Sequence, residues 1–192
     1  MRFPKTTRLA DKSHYAEPGL SFHLTIAAHP DVSAFAPAVA DAIWKSVLEQ
    51  RTATRIELHA ACLMTDHLHL LASPREQDII SFVRNWKSWT SWLARDAGHF
   101  GPIWQPGMWD RTCRDERDYE ETITYIIRNP VAAKLVESEE DWPHPVRMVE
   151  QTVGVAGLSP RLITSAPPQT PEVPGWAMLR RTTVLDSGHA CQ

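Results

Sequence analysis

Residues 55–73, Arg-Ile-Glu-Leu-His-Ala-Ala-Cys-Leu-Met-Thr-Asp-His-Leu-His-Leu-Leu-Ala-Ser, decide the fold. The segments 55–63 and 67–73 are each short and rich in apolar side chains, which is typical of strands. Only Met64 and the polar pair Thr65-Asp66 separate them, so the two strands should pair as an antiparallel hairpin. The sequence therefore predicts an antiparallel sheet with this hairpin at its centre.

Apolar periodicity predicts further elements on both sides of the hairpin. Alternating apolar side chains indicate a strand, and apolar side chains that recur every 3.6 residues indicate a helix. The predicted elements are a strand at 20–27, helices at 34–50, 79–97 and 116–129, and a short strand at the end of 103–113. Pro130 should end the last helix, because proline restricts the residue before it. The order β-α-β-β-α-β-α predicts an α+β fold, a ferredoxin-like central antiparallel sheet with helices packed on one face.

The composition predicts one folded domain between a basic arm and a proline-rich tail. Of the 192 residues, 43% are hydrophobic and 22% are charged, which suits a globular domain with a core. We expect a basic N-terminal arm at 1–14 and the folded domain at 15–146. Seven of the fifteen prolines fall within 143–174, so we expect a largely disordered tail at 147–192.

Targeting signals and cysteine spacing point to a cytoplasmic protein. No apolar run reaches the roughly 18 residues of a membrane helix, and the N-terminus does not lead into the apolar stretch of a signal peptide. The three cysteines are widely spaced and predict neither a disulfide framework nor a zinc site. The net charge of −3 does not favour nucleic-acid binding, but five basic residues stand against two acidic ones in 84–114. A local basic face is therefore compatible with the sequence.

His67 and His69 form the first chemically informative pair. They stand two residues apart on a predicted strand, so both imidazoles project to the same side of the sheet. Two convergent imidazoles can bind a divalent metal ion if a third ligand comes from elsewhere. On this pattern alone, two polar residues on the solvent face of a half-buried strand are the commoner interpretation.

Tyr125 and Asn129 form the second pair, on the third predicted helix. The core stripe of that helix consists of Tyr119, Ile123, Ile126 and Ile127. At about 100° per residue, Tyr125 falls roughly 120° from the middle of this stripe and should lie outside the core. Asn129 follows four residues later and shares the same helix edge. The alternative is a partly exposed tyrosine and an ordinary asparagine before proline.

Three motifs occur in a fixed order along the chain. They are Met64-Thr-Asp-His-Leu-His-Leu70, Gly101-Pro-Ile-Trp-Gln-Pro106 and Tyr125-Ile-Ile-Arg-Asn-Pro-Val131. With these motifs the chain resembles the bacterial REP-associated tyrosine transposases, a branch of the single-tyrosine HUH endonucleases in the insertion-sequence 200-like superfamily. The resemblance covers about residues 14–146, nearly all of the predicted folded part.

The resemblance implies a role for each member of the two pairs. It implies that His67 and His69 bind a divalent metal ion, Mg²⁺ or Mn²⁺, with Asn129 as the third ligand. It also implies that Tyr125 is the nucleophile. Family members usually have Pro-Asn or Pro-Glu before the first histidine, where this chain has Thr65-Asp66. We expect Asp66 to orient or charge-tune a histidine.

The function implied by the resemblance is that of a metal-dependent endonuclease and strand transferase for single-stranded DNA. The implied intermediate is a covalent 5′-phosphotyrosine, and the implied substrate is a DNA hairpin formed by a repeat sequence, as in DNA transposition. A nucleoid-associated location in a bacterial cytoplasm follows from that substrate. The sequence leaves open whether the protein is a monomer or a homodimer.

Basic and aromatic residues between the motifs supply expected DNA contacts. Arg84, Lys87, Arg111 and Arg114 are expected to bind phosphates, with solvated surface charge as the alternative for each. Trp104 and Trp109 either stack on unpaired bases or pack against the core. Trp86 and Trp89 lie on the apolar stripe of the second helix and are predicted to be core residues.

Two other functions remain compatible with the sequence. One is a domesticated DNA-binding regulator that keeps the fold and lacks turnover. The other is a small metal-dependent hydrolase that uses the histidine pair with Asp66 and does not need Tyr125. A tyrosine-linked DNA product distinguishes the proposed nuclease from both.

Overall fold

A computed structural model describes residues 13–147 of the chain, and only the backbone of Val146 and Arg147. The strands are β1 Phe22–Ala27, β2 Ile56–Leu63, β3 His67–Pro74, β4 Trp109–Thr112 and β5 Pro145–Arg147. The helices are α1 Pro37–Glu49, α2 Ile79–Asp96 and α3 Glu116–Ala132, with short 3-10 helices at Ser13–Ala16 and Glu139–Asp141. The predicted element order is confirmed, and β5 is an addition to it. Residues 1–12 of the predicted arm and 148–192 of the predicted tail lie outside the described residues.

The five strands form one antiparallel sheet in the order β4-β1-β3-β2-β5. The β2–β3 hairpin occupies the centre, as predicted, with Leu63 opposite Leu68 next to the Thr65-Asp66 link. On the other side of β3, Thr25 of β1 lies opposite His69. The α+β fold with a ferredoxin-like antiparallel sheet is therefore confirmed.

The helices cover both faces of this sheet, so the prediction that they share one face is wrong. Along β3, Leu68, Leu70 and Ala72 belong to the main core, which also contains buried side chains of α1 and α2. Leu71 points the other way and packs with Ile123 and Ile126 of α3. Because strand side chains alternate, His67 and His69 share the α3 face with Leu71. The two-sided arrangement therefore brings the histidines and the tyrosine helix into one layer.

The buried stripe of α2 differs from the predicted one at Trp89. The buried positions of the helix are Ile79, Phe82, Val83, Trp86, Thr90 and Ala94. The step from Trp86 to Thr90 is four residues, so Trp89 turns outward and is 45% exposed. Trp86 is a core residue, as predicted, whereas the prediction for Trp89 is wrong.

The helix α3 runs through Pro130 to Ala132, so the prediction that it ends before the proline is also wrong. A proline inside a helix removes one hydrogen bond and crowds the carbonyl four residues back. Pro130 is the third residue from the end of α3, so the hydrogen bond that it cannot donate falls in the last turn of the helix. Its ring is buried, which contributes packing in place of the lost bond.

Arg111 of β4 fixes α3 to the sheet near the start of the helix. Its guanidinium donates to Asp118 Oδ1 at 2.6 Å and to Thr122 Oγ1 at 2.7 Å. Asp118 also accepts from the backbone N–H of Arg114 at 3.0 Å. The hydrogen bond from Arg111, followed by that from Arg114, lowers the pKa of the Asp118 carboxyl to about 2.

We expect Asp118→Asn to lower the thermal unfolding midpoint at neutral pH and to matter less in acid. An aspartate has a pKa of about 3.9 in an unfolded chain, above that of folded Asp118. The ionised carboxylate therefore stabilises the fold above about pH 4, and this stabilisation is lost as the pH falls towards 2. Thermal unfolding followed by circular dichroism between pH 7 and 2 measures the difference. Glu121→Gln, which breaks an exposed pair with Arg117, is the control and should change the midpoint little. If the difference in unfolding midpoint between Asp118→Asn and the unsubstituted chain stays constant from pH 7 to 2, the ionised Asp118 carboxylate does not stabilise the fold in this way.

Candidate functional site

His67 and His69 lie side by side on β3 and face α3. Their Nε2 atoms are 3.1 Å apart, and their ring centroids are 4.7 Å apart. His69 is 4% exposed, and His67 is partly buried. The solvent-face interpretation of this pair is therefore wrong for His69, which is held inside the fold. The two Nε2 atoms approach the same point.

The outer nitrogens of both rings are held by neighbouring side chains. Asp66 Oδ1 lies 2.6 Å from His67 Nδ1. On the other ring, His69 Nδ1 lies 3.1 Å from Thr25 Oγ1 and 3.2 Å from His23 Nε2. Metal-binding histidines are commonly oriented in this way, with the far nitrogen fixed by a carboxylate or another polar group. Because the Asp66 carboxylate lies behind His67, it is not placed to join the two Nε2 atoms as a ligand.

Asn129 of α3 supplies the third polar group at this point. Its Nδ2 atom lies 3.3 Å from His69 Nε2. A half-turn of the amide exchanges oxygen and nitrogen, so Oδ1 can face the histidines from the same place. Within residues 13–147, no group of three His, Cys, Asp or Glu side chains is placed to hold a metal ion. A site at this point therefore depends on the Asn129 oxygen together with the two imidazoles, and this donor set fits a divalent ion such as Mn²⁺.

Burial keeps two of the clustered imidazoles neutral. It lowers the pKa of His69 to about 2, with the neighbouring His67 and His23 as secondary causes. Burial also lowers the pKa of His23 to about 4, with Arg111 as the second cause. The neutral ring is the form that binds metal ions, because its free nitrogen keeps a lone pair.

Tyr125 lies on α3 beside this cluster and outside the core, as its helix position predicts. The side chain is 53% exposed. Its ring centroid lies 5.6 Å from that of His23 and 5.6 Å from that of His69, in edge-on contacts. The structure thus brings together all four residues that the sequence singled out for chemistry. It places an exposed phenol ring beside the neutral imidazoles of His23 and His69, one helical turn from Asn129.

His23 and Thr25 belong to this cluster and were not predicted from the sequence. They alternate along β1 with the buried Phe22 and Leu24, so their side chains point to the α3 face. Their position next to His69 depends on the pairing of β1 with β3. The alternation was readable in the sequence, but that pairing was not.

Three of the four side chains that were expected to bind phosphates form hydrogen bonds or ion pairs within the protein. Lys87 Nζ donates to the backbone carbonyls of Gln105, at 2.8 Å, and Gly107. Burial lowers the pKa of Lys87 to about 8. Arg111 and Arg114 both pair with Asp118, and only Arg84 is exposed without an ion pair to another described residue.

The two tryptophans near the central motif have different positions. Trp104 is 7% exposed, and its indole N–H donates to Thr90 Oγ1 at 2.9 Å. Its ring packs against Trp86, which leaves no face for stacking on a base and corrects the DNA-contact prediction for Trp104. Trp109 is half-buried on β4 and meets the ring of His23 edge-on at 6.1 Å.

Comparison with known proteins places the whole cluster inside one family region. The model of the family described as "Transposase IS200 like" matches residues 17–129, which is more than half of the chain and includes every residue of the cluster. The chain belongs to the IS200-like transposase family. The resemblance inferred from the three motifs is therefore confirmed.

Two curated relatives of this transposase family member are 30% identical to it. One, from Haemophilus influenzae, is named as a candidate REP-associated tyrosine transposase, and the match covers 46% of this chain and 57% of that protein. The other is the REP-associated tyrosine transposase of Escherichia coli K12, with 45% of this chain and 52% of that protein covered. The chain thus spans little more than half the length of these relatives.

A solved structure shares the fold of this family member. It is that of a REP-associated tyrosine transposase bound to a REP hairpin, with a TM-score of 0.57 and 18% sequence identity. The match covers 82% of this chain and all of the other. Among the helices that the structure describes here, none is long and apolar enough to cross a membrane.

Proposed function

We propose that this chain cleaves and rejoins single-stranded DNA through a covalent bond to Tyr125, acting on hairpins formed by repeat sequences. The observation that carries the proposal is the exposed Tyr125 ring beside the buried His69 and the Asn129 amide. Membership of the IS200-like transposase family supports it. The fold neighbour bound to a REP hairpin supports the choice of substrate.

His67, His69 and Asn129 would hold a divalent metal ion, Mg²⁺ or Mn²⁺, in this proposal. When bound, the ion would polarise a phosphodiester oxygen and favour the phenolate form of a nearby tyrosine. All three ligands are neutral, and Mg²⁺ prefers oxygen donors, so we expect weak binding in the absence of DNA. A phosphate oxygen of the substrate would then strengthen the site.

The cleavage step uses the phenol hydroxyl of Tyr125 as nucleophile. The Tyr125 oxygen forms a bond to the scissile phosphorus, and the bond from phosphorus to the 3′ oxygen breaks. The phenol proton passes to solvent, and the departing oxygen takes up a proton to give a free 3′-hydroxyl. The products are a 5′-phosphotyrosine on the protein and a released strand, so the phosphoester bond is conserved.

Strand transfer follows from the same chemistry in reverse. The 3′-hydroxyl of another strand attacks the phosphotyrosine, and the bond from phosphorus to Tyr125 breaks. The number of phosphoester bonds does not change, so this step needs no nucleotide cofactor. The exposure of Tyr125 is consistent with it, because the incoming strand must reach the covalent bond.

End-labelled hairpin oligonucleotides with a single-stranded flank test the proposal. A 3′ label should move to the mass of the protein on a denaturing gel, whereas a 5′ label should appear on a shortened free strand. If the protein binds the hairpin and forms neither product, it is better described as a DNA-binding regulator without turnover. A free 3′-labelled fragment would instead indicate direct hydrolysis. Either of these results would reject the covalent mechanism.

We expect Asp66→Asn to weaken metal binding, because the carboxylate orients His67 from behind. Loss of an outer partner of a metal-binding histidine typically costs about 10- to 100-fold in metal affinity. Titration with Mn²⁺, followed by electron paramagnetic resonance of the free ion, measures this affinity without any cleavage assay. Asp31→Asn is the matched control, since the Asp31 carboxylate also lies near the Nδ1 atom of a histidine, His29, which is not one of the proposed ligands. Equal Mn²⁺ affinity of the two variants would contradict the orienting role.

A further inference from the structure

Two neighbouring tryptophans stand exposed on the outer side of α2. Trp89 and Trp92 are each 45% exposed. Their rings are stacked, with centroids 5.1 Å apart and an interplanar angle of 14°. Large aromatic rings that are exposed together on a folded domain commonly mark an interaction surface. The cleavage site described above does not use them.

The exposed surface of α2 also carries two arginines. Arg84 and Arg95 are exposed, and neither forms an ion pair with a residue in the described part of the chain. On a helix, Arg84 and Arg95 lie within about 20° of each other. Trp92 lies about 60° round from Arg95, and Trp89 about 120°. Asp96 is the only acidic residue in the helix sequence. Trp92 is therefore flanked by Arg95 and by the acidic Asp96, and Arg84 lies about three turns from Arg95 along the helix.

These two kinds of side chain match the two parts of a single nucleic-acid strand. Indole faces stack on unpaired bases, and guanidinium groups bind the phosphates between them. The bases of a duplex are stacked on each other and offer no free face in this way. The chemistry therefore favours a single strand over a duplex or an acidic protein.

We propose that Trp89, Trp92, Arg84 and Arg95, together called the α2 surface, bind a single-stranded part of the DNA substrate away from the cleaved bond. This inference rests on the proposed function, which supplies single-stranded DNA as the partner. The helix α2 packs on the sheet face opposite to α3. The α2 surface is therefore separate from Tyr125, and it contributes to the affinity for a flanking strand.

Fluorescence anisotropy with a labelled oligothymidylate tests the α2 surface. The protein carries Tyr125→Phe, so that only noncovalent binding is measured. Combined Trp89→Ala and Trp92→Ala should weaken binding about tenfold or more, since each base stacked on an aromatic ring contributes substantially. Trp89→Phe with Trp92→Phe should restore most of the affinity. Phe100→Ala is the control, because Phe100 is 83% exposed and lies outside the stacked pair.

Two further measurements separate stacking from charge. An abasic oligonucleotide of the same length keeps its phosphates and loses its bases, so it should bind the alanine variant and the parent equally. Arg84→Gln with Arg95→Gln should reduce the slope of log affinity against log salt by about 0.7 for each lost contact.

Unchanged oligothymidylate affinity in the Trp89→Ala, Trp92→Ala variant would overturn the inference. If the oligothymidylate affinity is unchanged and the alanine variant no longer forms a dimer in sedimentation, the α2 surface binds a second copy of the chain. That result also overturns the inference. Circular dichroism excludes misfolding as a cause, and the phenylalanine variant provides a second check. If the tryptophans bind DNA but the unsubstituted chain forms no covalent product, the proposed function fails and the α2 surface stands. If a covalent product forms and the tryptophans do not affect binding, only the α2 surface fails.

Discussion

Tyr125→Phe should abolish covalent DNA capture while the protein still binds the same hairpin. The substitution removes one hydroxyl from a side chain that is 53% exposed, so the fold and the surrounding surface are retained. Removal of a catalytic nucleophile typically lowers the rate on the order of 10⁴- to 10⁶-fold. Transfer of a 3′ label to the protein on a denaturing gel measures capture, and anisotropy of the same oligonucleotide measures binding.

Tyr119→Phe is the matched control for this experiment. Tyr119 lies on the same helix, is partly buried, and contacts His59. This variant should capture DNA as the unsubstituted chain does. Capture that persists in Tyr125→Phe, or that disappears equally in both variants, would reject Tyr125 as the nucleophile.

The combined change of His67→Ala and His69→Ala should remove both Mn²⁺ binding and metal-dependent cleavage. Two of the three proposed ligands are lost, and the amide of Asn129 alone is a weak donor. Calorimetric titration with Mn²⁺ measures the binding, and the end-label assay measures cleavage with and without a chelator. We expect cleavage to fall by several orders of magnitude, on the scale seen when a catalytic group is removed.

His59→Ala controls for the loss of a histidine from the same sheet. His59 is partly buried on β2 and hydrogen-bonds Ser73 Oγ at 2.8 Å, apart from the His67–His69 pair. His69 is buried, so the single change His67→Ala, at the more accessible ring, is made as well and should give the same loss of metal binding. Unchanged Mn²⁺ affinity in the double variant would show that the histidines are not ligands, and full cleavage in that variant would show that cleavage does not need the ion they bind.

Local sequence patterns were sufficient for most of the fold. The central hairpin and the three helices follow from alternation and from 3.6-residue spacing, which depend on neighbouring residues alone. The strand β5 has only three residues, Pro145–Arg147, and offers no pattern to read. The packing of α3 on the opposite sheet face was missed because a helix stripe shows which side is buried and not what buries it.

The candidate site was predictable to the extent that its members carry a pattern of their own. Tyr125 and Asn129 were found because one helix edge brings together residues four apart. His23 joins the cluster only through the pairing of β1 with β3, which links residues 46 positions apart. Trp89 satisfied the apolar spacing of its helix, but Thr90 occupies the buried position instead and hydrogen-bonds the carbonyl of Trp86 at 2.9 Å.

The spacing of Tyr125 and Asn129 along α3 also has a mechanical consequence. About 6 Å along the helix axis, slightly more than one turn, separates them, and Arg111 anchors the same helix to β4. A rigid helix moves both side chains together. If a DNA strand is joined to Tyr125, a force on that strand acts on the helix that also carries the Asn129 amide. Such a force would therefore shift the amide relative to His69.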